Sequence, residues 1–142
     1  MSFFRWAIFL LTLGIDAGSA LGAERKEQRS VNVAVDRDTR IAFYGLPDDK
    51  CQPAGDPHVA IVETPSYGKI GFKNLRLRAT PSSIPEREGP CVGKFIDVTA
   101  VYYKSTRGFH GSDRVRIRVT FKRPPPATET TVLEEQVFVS VR

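Results

Sequence analysis

The sequence predicts an all-β fold, an antiparallel β-sandwich of about seven to nine short strands, and three observations carry that prediction. Apolar residues recur at every second position through most of the chain, the spacing that puts them on one side of a pleated strand. Downstream of residue 23 no segment offers apolar residues at i, i+3, i+4 and i+7, the stripe a surface helix needs. Gly, Pro and Asn/Asp/Ser clusters separate the apolar runs at short intervals, as in all-β domains. Strands that follow one another this closely pair mostly antiparallel, with one face buried and one wet.

The strands follow in order. Val31, Val33 and Val35 alternate with Asn32 and Ala34; Ile41 and Phe43 form the next run, which stops near Gly45. Val59 to Val62 is a short apolar run ended by Thr64-Pro65-Ser66-Tyr67-Gly68, a turn composition. Ile70 and Phe72 resume the pattern, followed by Leu75 and Leu77. Residues 79–93, with Pro81, Pro85, Gly89 and Pro90, read as a loop. Phe95 to Tyr103 is β-branched and aromatic, and Val115, Ile117, Val119 and Phe121 alternate with Arg114, Arg116, Arg118, Thr120 and Lys122. Pro124-Pro125-Pro126 ends that strand, and Val137, Val139 and Val141 must return to the sheet. No internal repeat or linker divides the 142 residues, so one domain is expected.

The first 23 residues read as a secretory leader: Arg5, an apolar stretch from Trp6 to Ile15, small residues from Ala17 to Ala23, then charge at Glu24-Arg25-Lys26. The stretch is about half the ~20 residues of a membrane-spanning helix. Cleavage between Ala20 and Ala23 leaves residues 24–142 as a periplasmic or secreted domain without a transmembrane segment. The whole chain carries a formal charge of +5. Since Arg5 and Asp16 leave together, so does the mature domain, which favours anionic partners.

Cys51 and Cys91 are the only cysteines. In an oxidising compartment an even count reads as a disulfide; two free buried thiols and a metal site are the competing readings. The spacing excludes a CxxC redox motif, and His58 and His110 add little to a zinc set. Closing a loop of this length stabilises a fold by about 4 kcal/mol in the chain-entropy treatment.

The stretch from Tyr103 to Val119 contains Gly108-Phe109-x-Gly111-x-Asp113 before an alternating strand. It resembles the bacterial cadherin-like, immunoglobulin-like repeat, whose signature is Y-x-P-x-x-G-F-x-G-x-D-x-F-x-Y-x-V. Two upstream stretches, Val33 to Phe43 and Gly55 to Ile70, resemble the opening strand and the "GDP…TPAHG" passage of that repeat, in the right order. The resemblance implies an immunoglobulin-like sandwich and covers about two thirds of the chain. Departures are Ser105 in place of the proline, Ile117 in place of an aromatic, with loss of any tyrosine-corner bond made there, and a longer stretch between Gly68 and Tyr103 that contains Cys91. The acidic residues that hold calcium in many such repeats are reduced to Asp36, Asp38, Asp48, Asp49 and Asp56, which read as solvated turn aspartates; calcium prefers clustered carboxylates. No cofactor is implied.

His110, Ser112 and Asp113 could suggest a hydrolytic triad. They lie one or two residues apart on a turn, and in a strand Ser112 points away from Asp113. Gly108, Phe109, Gly111 and Asp113 are therefore expected to build a turn, with Asp113 capping backbone N–H groups and worth about 1–2 kcal/mol. A hydrolase using His58 or His110 with Glu86 and Glu88 lacks a defined nucleophile or metal. The expected function is a non-enzymatic binding or interaction module of the cell envelope, its partner an envelope protein or an anionic envelope polymer. Its candidate ligand face is Arg114, Arg116, Arg118 and Lys122, joined by Arg76 and Arg78; the plainer reading of the same residues is a solubilising face. Nucleic acid is disfavoured because the wet side of that strand has no aromatics for base stacking. A stabilising subunit or inhibitor acting through the Cys91 loop and the Pro124-Pro125-Pro126 loop is the alternative.

Overall fold

The structure, a computed structural model, describes residues 24–55, 57–80, 90–122, 125 and 130–142; residues 1–23, the expected leader, lie outside them. Seven strands make up the described chain: β1 Glu24–Val33, β2 Thr39–Tyr44, β3 Pro57–Glu63, β4 Gly68–Arg78, β5 Phe95–Ser105, β6 Gly111–Lys122 and β7 Thr130–Val141. They form a four-stranded sheet in the order β1-β7-β6-β3 and a three-stranded sheet in the order β2-β5-β4. No helix occurs among the described residues. The fold is the predicted β-sandwich.

The alternation in the sequence sets the core. Val115, Ile117 and Val119 of β6 and Val137, Val139 and Val141 of β7 are buried, and from the second sheet Ile41, Ala42, Val101 and Tyr103 pack against them. Phe121, expected to join them, is only half-buried. It sits at the end of β6, paired to Thr131 and Pro57, where the sheet runs out of cover.

β4 and β5 change allegiance along their length. Ile70 of β4 and Val101 and Tyr103 of β5 belong to the main core, whereas Leu75, Leu77, Ile96 and Val98 belong to a second cluster with Phe43, Ala79, Cys51 and Cys91. Leu75 is paired to Val98 and Leu77 to Ile96, so these four share one side of the hairpin. It is the side opposite Ile70 and Tyr103, because the positions differ by an odd number. The β2–β3 loop is drawn over this second cluster. Its own turn is held by Asp48, whose Oδ1 accepts from the N–H of Lys50 and Gln52 at 2.8 and 2.9 Å.

The Cys51–Cys91 disulfide ties that loop to the segment before β5, and both cysteines are buried. Peptide mapping under non-reducing conditions should recover the pair with no alkylatable thiol. Replacing either cysteine by Ala should lower stability by about 2–5 kcal/mol, because the loop closure and the lid on the second cluster are lost together.

Two features depart from the expected pattern. β1 begins at Glu24, seven residues before the first alternating valine, and its first part is exposed almost throughout. It lies at a sheet edge, so neither side needs apolar residues and no period-two signal marks it. Its pairing with β7 is parallel, Val31 opposite Val139 and Val33 opposite Val141. The other four pairings are antiparallel.

Candidate functional site

The stretch that held the candidate triad is the β5–β6 turn and the start of β6. Asp113 opens the alternation of β6 and points inward with Val115, while Ser112 and His110 are exposed. The Asp113 carboxylate accepts from the N–H of Ser66 and of Tyr67, both at 2.9 Å, from its neighbour Arg114 N–H at 2.8 Å, and from the Tyr103 hydroxyl at 2.9 Å. Four donors converge on one half-wrapped carboxylate, and none comes from His110 or Ser112. The β3–β4 turn, β5 and β6 thus meet on a single side chain.

The surrounding residues complete that end of the sandwich. Phe109 packs against the core and stacks on Tyr67 at 4.5 Å between ring centres. Gly108 and Gly111 have φ of +70° and +139°, conformations that side chains disfavour. Gly68 faces Tyr103 so closely that a Cβ there would come within 2.3 Å of the ring. Asp36 of the β1–β2 turn, at φ +57°, donates its N–H to the buried Ser105 hydroxyl at 3.0 Å and accepts from Gly108 N–H at 3.1 Å. Ile117 is fully buried; the corner hydroxyl comes from Tyr103 of β5 instead.

A second buried carboxylate went unrecognised in the sequence. Glu135 of β7 is 1% exposed. It accepts from the Tyr44 hydroxyl of β2 and pairs with Arg29 of β1 at 2.8 Å. Tyr103–Asp113 and Tyr44–Glu135 are the same device: a tyrosine of the three-stranded sheet donates to a carboxylate of the four-stranded sheet. Asp113 and the partner of Glu135, Ile117, stand four residues apart on β6, roughly 13 Å. Burial, together with the adjacent carboxylate, pushes the ionisation of both tyrosines well above the ordinary range. No buried side-chain polar atom among the described residues lacks a partner.

The basic strand has the orientation the alternation demanded: Arg114, Arg116, Arg118 and Lys122 are exposed on the wet side of β6. The face is interleaved with acid. Glu63 takes Arg114 at 2.6 Å and Arg116 at 3.5 Å; Glu134 takes Arg116 at 3.6 Å and Arg118 at 3.1 Å. The register that brings β3 and β7 to either side of β6 makes a charge ladder from what reads in sequence as a bare basic stripe. Arg76 and Arg78 do not extend it. They lie on β4 in the other sheet, on the side of the core residue Ile70, with Arg76 paired to Asp97 at 3.3 Å and Arg78 over the Phe95 ring.

His58 is exposed on β3, and Glu86 and Glu88, weighed with His58 or His110 in the hydrolase reading, lie outside the described residues, as do Asp56, Pro124 and Pro126. Asp38 pairs with Lys73 at 2.7 Å, and the described aspartates form no metal-binding group. A groove of about 540 Å³ opens between the β2–β3 loop and the far ends of β4 and β5, lined by Leu46, Pro53, Pro57, Arg76, Asp97 and Thr99. Its polar groups pair with one another, Arg76 with Asp97 and Thr99 Oγ1 with Asn74 at 3.4 Å. No family profile, curated protein or solved structure matches the chain.

Proposed function

We propose that this chain is a non-enzymatic, exported interaction module of the cell envelope, built as an immunoglobulin-like sandwich. One observation carries the reading: among the described residues, the buried polar side chains are all spent on architecture. Ser105 takes a backbone N–H, Asp113 binds four donors, and Glu135 holds Tyr44 and Arg29. A general base or nucleophile needs a free lone pair or a partner that orients it, and Asp113 has neither to give His110 or Ser112. The strand order supports the immunoglobulin-like build. β2-β5-β4 and β7-β6-β3 follow the B-E-D and G-F-C pairings of that fold, with the first strand placed beside the last.

The test compares the wild-type domain with a His110→Ala/Ser112→Ala variant on immobilised supports exposed to an envelope fraction. Both should retain the same components, intact, with equal melting temperatures. Release of cleaved material by the wild type alone would make the protein an enzyme.

A further inference from the structure

We infer that the outward face of the β2-β5-β4 sheet, and not the β6 arginine face, is a binding surface for an anionic polysaccharide. The inference rests on the interaction-module reading and assigns it a place and a ligand chemistry. Three rows of side chains cross the end of this face that the β2–β3 loop leaves open; beyond Phe43 the same side carries the covered cluster of Leu75, Leu77, Ile96 and Val98. Lys69 of β4 stands directly opposite Lys104 of β5; Gly71, Tyr102 and Arg40 form the next row; Lys73, Ala100 and Phe43 form the third. Lys69, Lys73, Lys104 and Arg40 are exposed. Asp38 is matched to Lys73, and among the described residues no acidic side chain pairs with Lys69, Lys104 or Arg40.

Like charges directly across an antiparallel pair are destabilising, so Lys69–Lys104 is a cost the fold carries without internal compensation. Protection against edge-to-edge aggregation does not account for it. Such lysines belong on edge strands; Lys69 is on the edge strand β4, but Lys104 opposite it is on β5, the central strand of its sheet. The β6 face is the opposite case: four cations share two carboxylates, and its three arginines are all engaged. Four cations against one carboxylate on the β2-β5-β4 face leave three charges for a ligand.

The ligand class follows from the rings. Lys73 sits over Tyr102 at 4.0 Å and Arg40 over Phe43 at 5.3 Å, so each ring is already covered by a cation. A single-strand nucleic-acid platform needs successive aromatics open to stacking bases. Seating on a lipid surface draws on inserted apolar side chains as well as on charge, and the middle of this face has none to insert: Gly71 has no side chain and Ala100 is fully buried. What remains is a flat array of cations about 5 Å apart across the strands and about 7 Å apart along them. The bare backbone at Gly71, where a Cβ would meet nothing within 4 Å, leaves room for a chain to lie between the rows. That array suits a linear polymer bearing an acid group on each sugar.

Lys69→Glu separates binding from folding. It replaces the like-charge pair by an ion pair with Lys104 and cuts the surplus charge from three to one. Binding of the residue 24–142 domain is measured to polygalacturonate, to heparin, to a thymidine oligonucleotide and to phosphatidylglycerol vesicles. The wild type should bind a glycan best and weaken by about tenfold or more between 50 and 200 mM salt, as ion release and screening require. Lys69→Glu should melt at or above the wild-type temperature and lose at least about tenfold in glycan affinity, while Arg114→Gln/Arg116→Gln/Arg118→Gln binds as wild type. The inference is overturned if Lys69→Glu binds glycan like wild type, if the triple variant is the one that loses binding, if oligonucleotide or vesicles bind more tightly, or if no polyanion binds. In each of these cases the envelope-fraction experiment still tests the interaction-module reading on its own.

Discussion

Asp113→Ala is expected to destabilise the domain by about 3 kcal/mol or more, beyond the 1–2 kcal/mol of a simple capping residue. The Tyr103 hydroxyl keeps only its longer bond to the Tyr67 carbonyl at 3.3 Å, and the N–H groups of Ser66 and Tyr67 lose their acceptor. Each such orphaned group costs about 1–3 kcal/mol. Asp113→Asn keeps the shape but turns one acceptor into a donor that faces donors, so it should fall between wild type and Ala. Urea unfolding reads the change as a shifted midpoint at constant slope. Ser112→Ala and His110→Ala, whose side chains are exposed, should leave the midpoint in place. A small effect at Asp113 together with a large one at Ser112 would reverse the roles given to these residues.

Removal of Glu135 should have the next largest effect. Glu135→Ala leaves the Tyr44 hydroxyl unpaired in the core and a cavity beside Ile117. Arg29 is 42% exposed and can turn to water, so the expected loss is about 2–4 kcal/mol, below the 3–5 kcal/mol of a fully buried broken pair. Replacing both partners by apolar residues of similar volume, Tyr44→Phe with Glu135→Met, should recover most of that loss, since well-packed substitutes for a buried polar pair are often neutral. A double-mutant cycle then gives the coupling directly, and additive single effects would deny the bond a structural role.

The sequence was informative wherever structure is local. Alternation placed the wet and buried sides of β6 and β7 correctly, and the glycine and proline spacing marked the turns. Glu135 was also within reach. Carrying the alternation of Val141, Val139 and Val137 back two and four residues lands on Glu135 and Leu133, an acid at an inward position. The shift from Ile70 and Phe72 to Leu75 and Leu77 is a change of parity within one strand, and it marks the second apolar cluster. The remainder depends on long-range register. Nothing in the order of residues sets Glu63 and Glu134 on either side of the β6 arginines, or Lys69 against Lys104. The exposed start of β1 is held by its edge pairing with β7, which leaves no periodic trace.

The central claim is that two buried tyrosine–carboxylate bonds pin the sheets together and occupy the two buried carboxylates among the described residues. Both tyrosines hold their protons above the pH, about 10, at which an unfolded tyrosine ionises. Their contribution to stability is therefore complete below about pH 10 and is lost as pH rises beyond it, because the unfolded chain releases protons that the folded one keeps. Alkaline titration of phenolate absorbance, recorded with the circular dichroism of the sheets, tests this directly. At least two of the four tyrosines should stay protonated until the β signal collapses, and then ionise together with it. Ionisation of all four between about pH 9 and 11 with the β signal unchanged would contradict the claim.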